Sequence, residues 1–443
     1  MKKLLILAYD FPPYVSVGGL RPYNWYKYLR EYGIEPIVIT RQWSNQHGNH
    51  LDYISPGISN TVIEEISETG KIYRTPYYPN ISNKLLLQYG DNRFKLLRKI
   101  ISGYYEFAQF LLPIGPKAEL YKFARNFLKS NKVDAIIATG DPFVLFSFAS
   151  KLSKEFEIPW IADYRDTWVQ DKTRSSNKIT KKWNAFFERK YLNNSSKITT
   201  VSSFIIKQIE QNLPEKNYEI LLNGFNPDVM EAAKDIKQNS DVFTISFAGT
   251  IYKWHPIKSF LHICNKLVKK GVLTNFKLDF YGVNTNCELE KILSQNFPEL
   301  NLKVSIYPKT ENEELVKKIA KSNAFLLFND YSILGTKIFT YLGIKRQIIL
   351  CYSDDSNAHL LKSKFYNLEE FTNESKKLQE DLINETNSGT VIKNESHLEE
   401  VLTILKKEFD NSGYIMCNSI GIEKYSRKTQ AKKLANIIDK LNF

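Results

Sequence analysis

The sequence has no run of about 18 consecutive apolar residues, so it predicts no membrane-spanning helix. The first apolar run, Leu4–Ala8, is short and continues into Pro12 and Pro13, which is typical of a first strand and not of a signal peptide. The cysteines lie far apart and form no C-x-x-C pair, which favours a reducing compartment and argues against structural zinc. They are Cys264, Cys287, Cys351 and Cys417, all interpreted as small buried residues.

The motifs of several enzyme classes are also missing. There is no G-x-G-x-x-G fingerprint, which disfavours an oxidoreductase that binds a dinucleotide. There is no Walker A motif, no H-E-x-x-H and no nucleophile elbow. No His, Asp or Glu cluster has the spacing of metal ligands, and there is no D-x-D triplet, which often holds a divalent ion on a nucleotide diphosphate. We therefore expect neither a metal nor a cofactor.

Length and pattern indicate two domains in tandem. A chain of 443 residues is too long for one core. Apolar strands alternate with helices along both halves, which is typical of α/β proteins with mainly parallel sheets. A polar stretch without an apolar period, 233–241, is the predicted linker. We predict two doubly wound, Rossmann-like domains, 1–235 and 242–420, and a terminal helix in 421–443 that crosses back to the first domain.

The first domain opens with a strand, a glycine turn and a helix. Leu4–Ala8 is the predicted strand, and helical spacing begins at Leu20. In doubly wound domains, ligands sit outside the carboxyl ends of the strands. Between the strand and the helix, Gly18 and Gly19 would let the backbone approach a ligand whose negative charge the helix N-terminus favours. A tight turn without a ligand is the alternative.

A charged group follows another short strand of the first domain. Asp163, Arg165 and Asp166 could position a sugar hydroxyl or act as a base. The alternative is a structural pair between arginine and carboxylate that ties neighbouring loops together. Trp168 could stack on a sugar or an acceptor, or it could belong to the core.

In the second domain, glycine and lysine lie just beyond a predicted strand. Gly249 and Thr250 precede Lys253, so backbone N–H groups and a point charge could hold a phosphate there. His255 precedes a proline and is interpreted as a loop histidine whose bonds are satisfied, not as a catalyst.

A second possible anion site lies where a later helix begins. Gly335, Thr336 and Lys337 bring a hydroxyl, a lysine and free helix N–H groups together, which suits a diphosphate. The alternative is an N-cap threonine followed by an exposed lysine.

The net charge of +13 is unevenly distributed. Segment 71–132 has 12 Lys or Arg residues and 3 Asp or Glu residues, and it is rich in aromatic residues and leucine. Such a stretch suits the surface of an anionic membrane. Nucleic acid is the rival partner, and a solvated face over a core stripe is the third interpretation.

Two stretches of the sequence resemble the GT-B glycosyltransferases: LLILAYDFPPYVSVGGLRPYNW and GTKIFTYLGIKRQIIL. The resemblance is to the large retaining family 4 and its relatives in bacterial surface-polysaccharide clusters. Between the two stretches lie IADYRDTW, VSSF, LLNGFN and FAGTIY, in the order that the family uses. The resemblance covers nearly the whole chain. It implies a GT-B fold, in which two Rossmann-like domains face each other across a cleft.

The resemblance also implies site residues at matching positions. Thr336 and Lys337 match the Ser-Lys pair that begins the helix over the donor diphosphate. Ser332 and Thr340 stand where many relatives have glutamates, and a threonine can still bond a ribose hydroxyl. The implied donor-binding residues are Gly18, Gly19, Asn223, Gly249, Thr250, Lys253, Thr336, Lys337 and Thr340. We assign a catalytic role to Asp163, Arg165 and Asp166, and an acceptor-side role to Arg21, Asp141 and Trp168.

The implied reaction moves a sugar from a nucleotide-diphosphate sugar to an acceptor hydroxyl, with retention and without a required metal. Lysines and helix N-termini would stabilise the leaving diphosphate, and closure about 233–241 would exclude water. We expect a lipid-linked or oligosaccharide acceptor and a role in cell-surface polysaccharide or glycolipid synthesis. We expect a cytoplasmic protein that segment 71–132 could hold at the inner face of the cell membrane, and no nucleic-acid partner.

Three alternative functions remain. A GT-B type nucleotide-sugar epimerase would keep the fold and convert the donor without an acceptor. A non-catalytic GT-B-like binding protein would explain Ser332 and Thr340. A nucleic-acid binder would explain the positive charge, although no recognition motif accompanies it.

Overall fold

The computed structural model describes residues 1–14, 16–44, 51–170, 178–284, 286–370 and 376–441. The chain forms two compact units. The first comprises Met1–Leu222 with Arg427–Phe443, and the second comprises Asn223–Ser426. Each unit contains one sheet between helices, so the predicted fold class of two doubly wound, Rossmann-like domains is confirmed.

The first unit is built on an eight-stranded sheet with the order β3-β4-β2-β1-β5-β6-β7-β8. All neighbouring strands are parallel except β3, which pairs antiparallel with β4 at the edge. The strands are β1 (Lys2–Leu7), β2 (Ile34–Arg41), β3 (Ile63–Ile66), β4 (Lys71–Thr75), β5 (Ala135–Gly140), β6 (Trp160–Tyr164), β7 (Lys197–Thr200) and β8 (Tyr218–Ile220). The helices are α1 (Val17–Tyr28), α2 (Ile81–Tyr89), α3 (Lys95–Ala108), α4 (Ala118–Ser130), α5 (Val144–Phe156), α6 (Lys178–Leu192) and α7 (Ser203–Glu210).

The apolar run of β1 is explained by a sheet that is covered on both faces. Leu5 and Leu7 belong to one apolar cluster, and Leu4 and Ile6 belong to another. Because successive side chains of a strand point to opposite faces, a strand buried on both sides needs an uninterrupted apolar sequence. This burial fixes where β1 ends, and it therefore fixes the position of the loop that leads to α1.

The second unit has six parallel strands in the order β11-β10-β9-β12-β13-β14. This is the 3-2-1-4-5-6 order of the Rossmann fold. The strands are β9 (Phe243–Ala248), β10 (Phe276–Tyr281), β11 (Val304–Tyr307), β12 (Ala324–Phe328), β13 (Gln347–Cys351) and β14 (Gly389–Ile392). The helices are α8 (Pro227–Glu231), α9 (Ile257–Lys269), α10 (Asn286–Asn296), α11 (Pro298–Asn301), α12 (Asn312–Ile319), α13 (Thr336–Ile344), α14 (Ser356–Phe365), α15 (Leu378–Thr386) and α16 (Glu395–Ser412).

The last helix, α17 (Arg427–Asp439), belongs to the first unit. Its Leu434 and Ile438 lie in the same apolar cluster as Leu4 and Ile6 of β1. The chain therefore leaves the first unit after Leu222 and returns to it after Ser426.

The stretch 233–241, predicted as the linker, lies within the second unit. The backbone N–H of Asn239 donates to the carbonyl of Lys321 at 2.7 Å, and Arg346 donates to the carbonyl of Ile236 at 2.7 Å. The Gln238 side chain of this stretch donates to the Ile415 carbonyl at 2.7 Å and accepts from the Asn323 amide at 3.0 Å, so this polar residue has a structural role within the second unit. Among the described residues, no helix combines the length and the apolar composition that a membrane span requires.

A buried glutamate of the first unit predicts how stability depends on pH. Glu188 on α6 is fully buried and accepts hydrogen bonds from Tyr164 at 2.9 Å, Asn212 at 2.6 Å and Gln170 at 3.3 Å. Burial raises the pKa of Glu188 to about 7, although these hydrogen bonds oppose the rise. The folded protein therefore holds a proton that the unfolded chain releases near its ordinary pKa of 4.5.

We expect the free energy of unfolding to fall by about 2 kcal/mol between pH ~5.5 and pH ~8, because the contribution of protonated Glu188 is complete below its unfolded pKa and is lost as pH rises through its folded pKa. Urea unfolding at a series of pH values measures this change. Glu188→Gln mimics the neutral side chain and should remove most of this pH dependence. An unchanged pH dependence in the variant would show that another group titrates in this range.

Candidate functional site

The strand order of the second sheet reverses between β9 and β12. In open α/β sheets, ligands bind outside the carboxyl ends of the strands at this reversal. Two loops begin there, one after β9 at Gly249 and one after β12 at Asn329. The second loop leads into α13, whose first residues are Thr336 and Lys337. The fold therefore places the predicted glycine turn and the predicted lysine at one edge of the sheet.

The Lys337 side chain extends across Gly249. Gly249 has a φ of +95°, and a Cβ built on it would lie 3.4 Å from Cε of Lys337. The Lys337 ammonium donates to the carbonyl of Thr250 at 2.9 Å and lies 4.6 Å from the centre of the Phe247 ring. A glycine at 249 thus provides both the left-handed backbone and the space for the lysine. Burial lowers the pKa of Lys337, against the opposing effect of the Asp330 charge.

A hydrogen bond fixes α13 against the end of β9. The Tyr341 hydroxyl accepts from the backbone N–H of Ala248, the last residue of β9, at 2.9 Å. The Tyr341 ring stacks on Phe325 of β12 with 4.3 Å between centroids. One side chain therefore links α13 to both strands at the reversal, which sets the distance between Lys337 and Gly249.

The N-terminus of α13 is open. Its N-cap is Gly335, and no described side chain caps the first turn. A Cβ built on Gly335 would have no neighbouring atom within 4 Å. Unpaired N–H groups and the partial positive charge of a helix N-terminus favour an anion, and Lys337 adds a full positive charge in the same turn. The alternative of an N-cap threonine is wrong, because Thr336 is the first residue of the helix.

A buried carboxylate lies beside Lys337. Asp330 Oδ1 receives hydrogen bonds from the His255 ring at 2.7 Å and from the Trp254 indole at 3.0 Å. Burial acts to raise the pKa of Asp330, but the effects of His255, Lys337 and Trp254 outweigh it and hold that pKa below its ordinary value. Asp330 is therefore an anion that positions Lys337 through its charge and ties the β12 loop to the β9 loop.

His255 is neutral in this arrangement. Its Nδ1 accepts from the backbone N–H of Tyr252 at 3.1 Å, so the ring proton lies on Nε2, which faces Asp330. Burial lowers the pKa of His255, which also favours the neutral ring. The interpretation of His255 as a satisfied loop histidine agrees with these contacts.

The β12 loop is held rigidly from α15. Gln379 accepts from the backbone N–H of Asp330 at 2.8 Å, and Glu380 accepts from the Asn329 amide at 2.9 Å. Tyr331 next to them has a φ of +50°, a left-handed conformation that costs energy for a residue other than glycine. The loop keeps this backbone because its neighbours bind it on both sides, and the cluster around Lys337 is therefore organised in advance.

The other predicted donor residues of the second unit have different environments. Lys253 is exposed on the loop after β9, and Thr340 lies one turn into α13, where its hydroxyl is 3.5 Å from the Thr336 carbonyl. Ser332 is buried and donates to Glu370 at 3.0 Å, and Glu370 also accepts from Lys362 at 2.8 Å. A carboxylate therefore stands beside Ser332 although the sequence has none at that position.

Asn223 lies where the chain enters the second unit. The following segment packs on α13, since a Cβ at Gly343 would lie 2.7 Å from Met230 and 2.9 Å from Phe225. Gly224 has a φ of +65° and makes the turn into this segment. The Asn-Gly turn is thus attached to the helix that carries Lys337.

The first sheet has its own reversal, between β1 and β5. The Asp10 carboxylate, just beyond β1, accepts from the Ser16 hydroxyl at 2.6 Å. Burial raises the pKa of Asp10, while Ser16 and the charge of Arg165 oppose this and the charge of Asp141 adds to it. Asp141 follows β5, and its charge also opposes the lowering of the Lys117 pKa by burial. These groups form a second polar cluster at the edge of the first sheet.

Close packing within the first unit accounts for Gly18 and Gly19. A Cβ on Gly18 would lie 2.0 Å from the Arg165 guanidinium, and one on Gly19 would lie 3.2 Å from the backbone of Asp10. The N–H of Gly18 already donates to the N-cap Ser16 at 3.0 Å. The two glycines therefore let α1 lie directly against the loop after β1, and their role toward a donor stays a prediction.

Asp163 and Arg21 form a buried ion pair. Arg21 donates to Asp163 at 2.7 Å and 2.9 Å, and its third nitrogen donates to the carbonyl of Leu221 at 2.8 Å. Asp163 also accepts from Thr139 at 3.1 Å and from Thr199 at 2.7 Å. Since Asp163 is fully buried and both of its oxygens are occupied, its contacts favour the structural alternative to the catalytic role. Because these contacts bury Arg21, its side chain is not part of an exposed acceptor surface, contrary to the acceptor-side role predicted for it.

The neighbours of this pair have different environments. Arg165 lies half-buried against α1, and Asp166 is exposed with an oxygen 3.5 Å from Arg165. The Trp168 ring is buried, parallel to Phe143 at 5.3 Å and next to Phe110 at 5.1 Å, so it belongs to the core. Of the predicted catalytic residues, Arg165 and Asp166 reach the surface and Asp163 does not.

Sequence reasoning missed Asp330 and Asp10 as site residues. Each is the first charged residue after a central strand, β12 and β1 respectively. The position of a charged residue directly after a central strand was therefore the signal that could have identified these two residues. Their partners could not be found in the same way, because His255 and Trp254 lie 75 and 76 positions from Asp330.

Comparisons with known proteins agree with this fold. No protein-family model matches the sequence. No curated protein sequence matches it significantly. The structure is similar to a sucrose-phosphate synthase from Thermosynechococcus elongatus, with a TM-score of 0.59 and 13% identity over 99% of each chain.

Two further solved structures are similar over the whole chain. One is an α,α-trehalose-phosphate synthase (UDP-forming) from Burkholderia xenovorans in complex with glucose-6-phosphate, with a TM-score of 0.59 and 10% identity over 99% of this chain and 100% of that one. The other is HepE from Anabaena in complex with UDP-glucose, with a TM-score of 0.51 and 11% identity over 100% of both chains. Together with the two Rossmann-like sheets, these likenesses show that the chain has the GT-B fold.

Proposed function

We propose that this protein is a glycosyltransferase that moves a sugar from a nucleotide-diphosphate sugar to an acceptor hydroxyl. One observation carries the proposal: Lys337 lies across Gly249 at the open N-terminus of α13, where the order of the strands reverses. A diphosphate there would receive backbone N–H groups, the helix dipole and a lysine charge. The structures of HepE with UDP-glucose and of an E. coli protein bound with UDP-2-fluoro glucose, which share the fold, make a uridine diphosphate sugar the first donor to test.

The chemistry of this site is electrostatic. When the bond between the sugar and the diphosphate breaks, negative charge develops on the leaving oxygen. Lys337 and the N–H groups of α13 would stabilise that charge, and Asp330 would keep the lysine in place. The first unit would hold the acceptor near Asp10 and Arg165. Transfer with retention and without a metal remains part of this proposal. Activity in the presence of EDTA tests whether the reaction is independent of a metal.

The proposed pathway role is the synthesis of a cell-surface polysaccharide or glycolipid, with a lipid-linked or oligosaccharide acceptor. It rests on the resemblance of the sequence to the family 4 enzymes of such clusters. Incubation with a labelled donor and with extracted lipid-linked acceptors tests it. Nucleotide release that is equally fast without any acceptor would favour the epimerase.

The binding step can be tested without knowing the acceptor. A ligand of the folded state increases the free energy of unfolding by mass action, by about 2.7 kcal/mol at ~100 times its Kd, and so raises the melting temperature. We expect UDP and UDP-glucose to raise the melting temperature, and uridine, which lacks the diphosphate, to have little effect. GDP and ADP in the same screen identify the base. If no nucleoside diphosphate shifts the melting temperature, the proposed function fails, and the result favours the alternative of a non-catalytic GT-B-like binding protein.

A further inference from the structure

Helix α3 lies on the surface of the first unit with its apolar side uncovered. None of its 14 residues, all of which are described, is buried. Leu96, Ile100 and Tyr104 follow each other at intervals of four and are between 61% and 74% exposed, and Leu97 beside them is 47% exposed. This spacing places them on one face of the helix. Such a stripe of large apolar side chains in contact with water is unusual for a protein surface.

The rest of α3 is attached to the protein. On one side, Ser82 of α2 donates to the Arg98 carbonyl at 3.0 Å and lies 2.8 Å from the Ser102 hydroxyl. Near the end of α3, Phe107 contacts Trp183 of α6, with 5.4 Å between ring centroids. The exposed stripe is therefore not the result of a loose helix, because the opposite side of α3 is in contact with α2 and its C-terminal end is in contact with α6.

Helix α6 continues the apolar surface. Ile179 and Phe186 are 72% and 52% exposed, and they are four before and three after Trp183, so they share a face with it. We call this surface the α3–α6 patch. It consists of Leu96, Leu97, Ile100, Tyr104, Ile179 and Phe186.

The two helices that carry the α3–α6 patch are mostly basic. Along α3 and α6 the carboxylates are those of Glu106 and Glu188, and Glu188 is buried. The basic residues of the two helices are Lys95, Arg98, Lys99, Lys178, Lys181, Lys182, Arg189 and Lys190. Only part of this charge could be expected from segment 71–132, because the fold brings α6 to α3 from outside that segment.

We infer that the α3–α6 patch docks the protein on an anionic lipid surface. Bulky apolar side chains on a helix face enter the interface of a bilayer, and flanking lysines and arginines bind acidic headgroups. A second copy of this chain would bring two sets of like charges together, which disfavours self-association. Nucleic acid would use the cations and would leave the leucine and isoleucine side chains without a partner.

Vesicle flotation tests the docking directly. At a low salt concentration of about 50 mM, we expect the protein to float with phosphatidylcholine vesicles that contain ~30% phosphatidylglycerol, and to stay in the dense fraction with phosphatidylcholine alone. The triple variant Leu96→Ser, Ile100→Ser and Tyr104→Ser keeps every cation and should bind the anionic vesicles at least about tenfold more weakly. Circular dichroism checks that this variant is folded, which we expect because the replaced side chains are exposed.

The second unit offers a matched control. Leu302, Leu360 and Ile420 are also large, apolar and between 63% and 89% exposed. Their replacement by serine should leave vesicle binding unchanged. Three results would overturn the inference. These are failure of the protein to float with anionic vesicles at low salt, binding of the α3 variant that is as tight as that of the unaltered protein, and a dimer in sedimentation that the α3 variant abolishes. None of these results depends on transferase activity, so the inference can fail independently of the proposed function.

Discussion

Lys337→Met is expected to lower kcat/KM for transfer from the nucleotide sugar by about 100-fold or more, the usual cost of removing one group that stabilises developing charge in a preorganised site. The variant removes the only full positive charge placed in the first turn of α13. Methionine keeps the apolar contact that the lysine stem makes with Gly249. We expect the fold to be retained, since burial already disfavours the charged form of this lysine.

Two comparisons sharpen this result. Lys345→Met changes a lysine just beyond the other end of α13 and should leave kcat/KM nearly unchanged. Lys253→Met tests the exposed lysine that the sequence also assigns to the donor, and we expect a smaller loss than for Lys337. Steady-state kinetics with UDP-glucose and a saturating acceptor measures transfer, and the shift of the melting temperature with UDP measures donor binding. Equal losses in the Lys337 and Lys345 variants would mean that α13 does not hold the diphosphate.

Arg21→Met is expected to destabilise the first unit by about 3–5 kcal/mol, because it leaves the buried Asp163 carboxylate without its charged partner. The guanidinium also satisfies the carbonyls of Leu221 and Leu222, where the chain leaves the first unit. For a unit of this size, such a loss lowers its melting temperature by roughly 10 °C. Scanning calorimetry measures the change, and the variant with Asp163→Asn as well should recover part of it.

An exposed pair provides the control for this prediction. Arg125 binds Glu155 through two bonds of 2.8 Å, a geometry as good as that of Arg21, but it lies on the surface. Arg125→Met should change the melting temperature very little, since exposed ion pairs contribute little to stability. If Arg21→Met kept the stability of the unaltered protein and abolished transfer instead, the catalytic role assigned to Asp163 would be supported and the structural one rejected.

The sequence was sufficient to predict the features that depend on neighbouring residues. The apolar run of β1, the glycine at 249 and the lysine after Thr336 each follow from local pattern, and the structure places Gly249 and Lys337 together. Local pattern does not predict the strand β3, because its sequence, Ile-Glu-Glu-Ile, has no apolar run and lies at a sheet edge where polar side chains are tolerated.

What the sequence could not provide are pairings between distant segments. Arg21 and Asp163 are separated by 142 positions, and only the parallel sheet brings the loop after β6 to α1. The sequence offers Arg165 two residues from Asp163, but Arg165 lies 3.5 Å from Asp166, and the buried partner of Asp163 is a residue that sequence separation hides. The same reason hid the carboxylate of Glu370 beside Ser332, 38 positions away.

The helix α17 has a consequence for how the protein is made. The first unit is interrupted in sequence, because its final helix is encoded after the whole of the second unit. As the ribosome releases the chain from its N-terminus, the core that contains Leu4 and Ile6 stays incomplete until Leu434 has emerged. The second unit is continuous in sequence, so the first unit can complete its core only after the whole of the second unit has been synthesised.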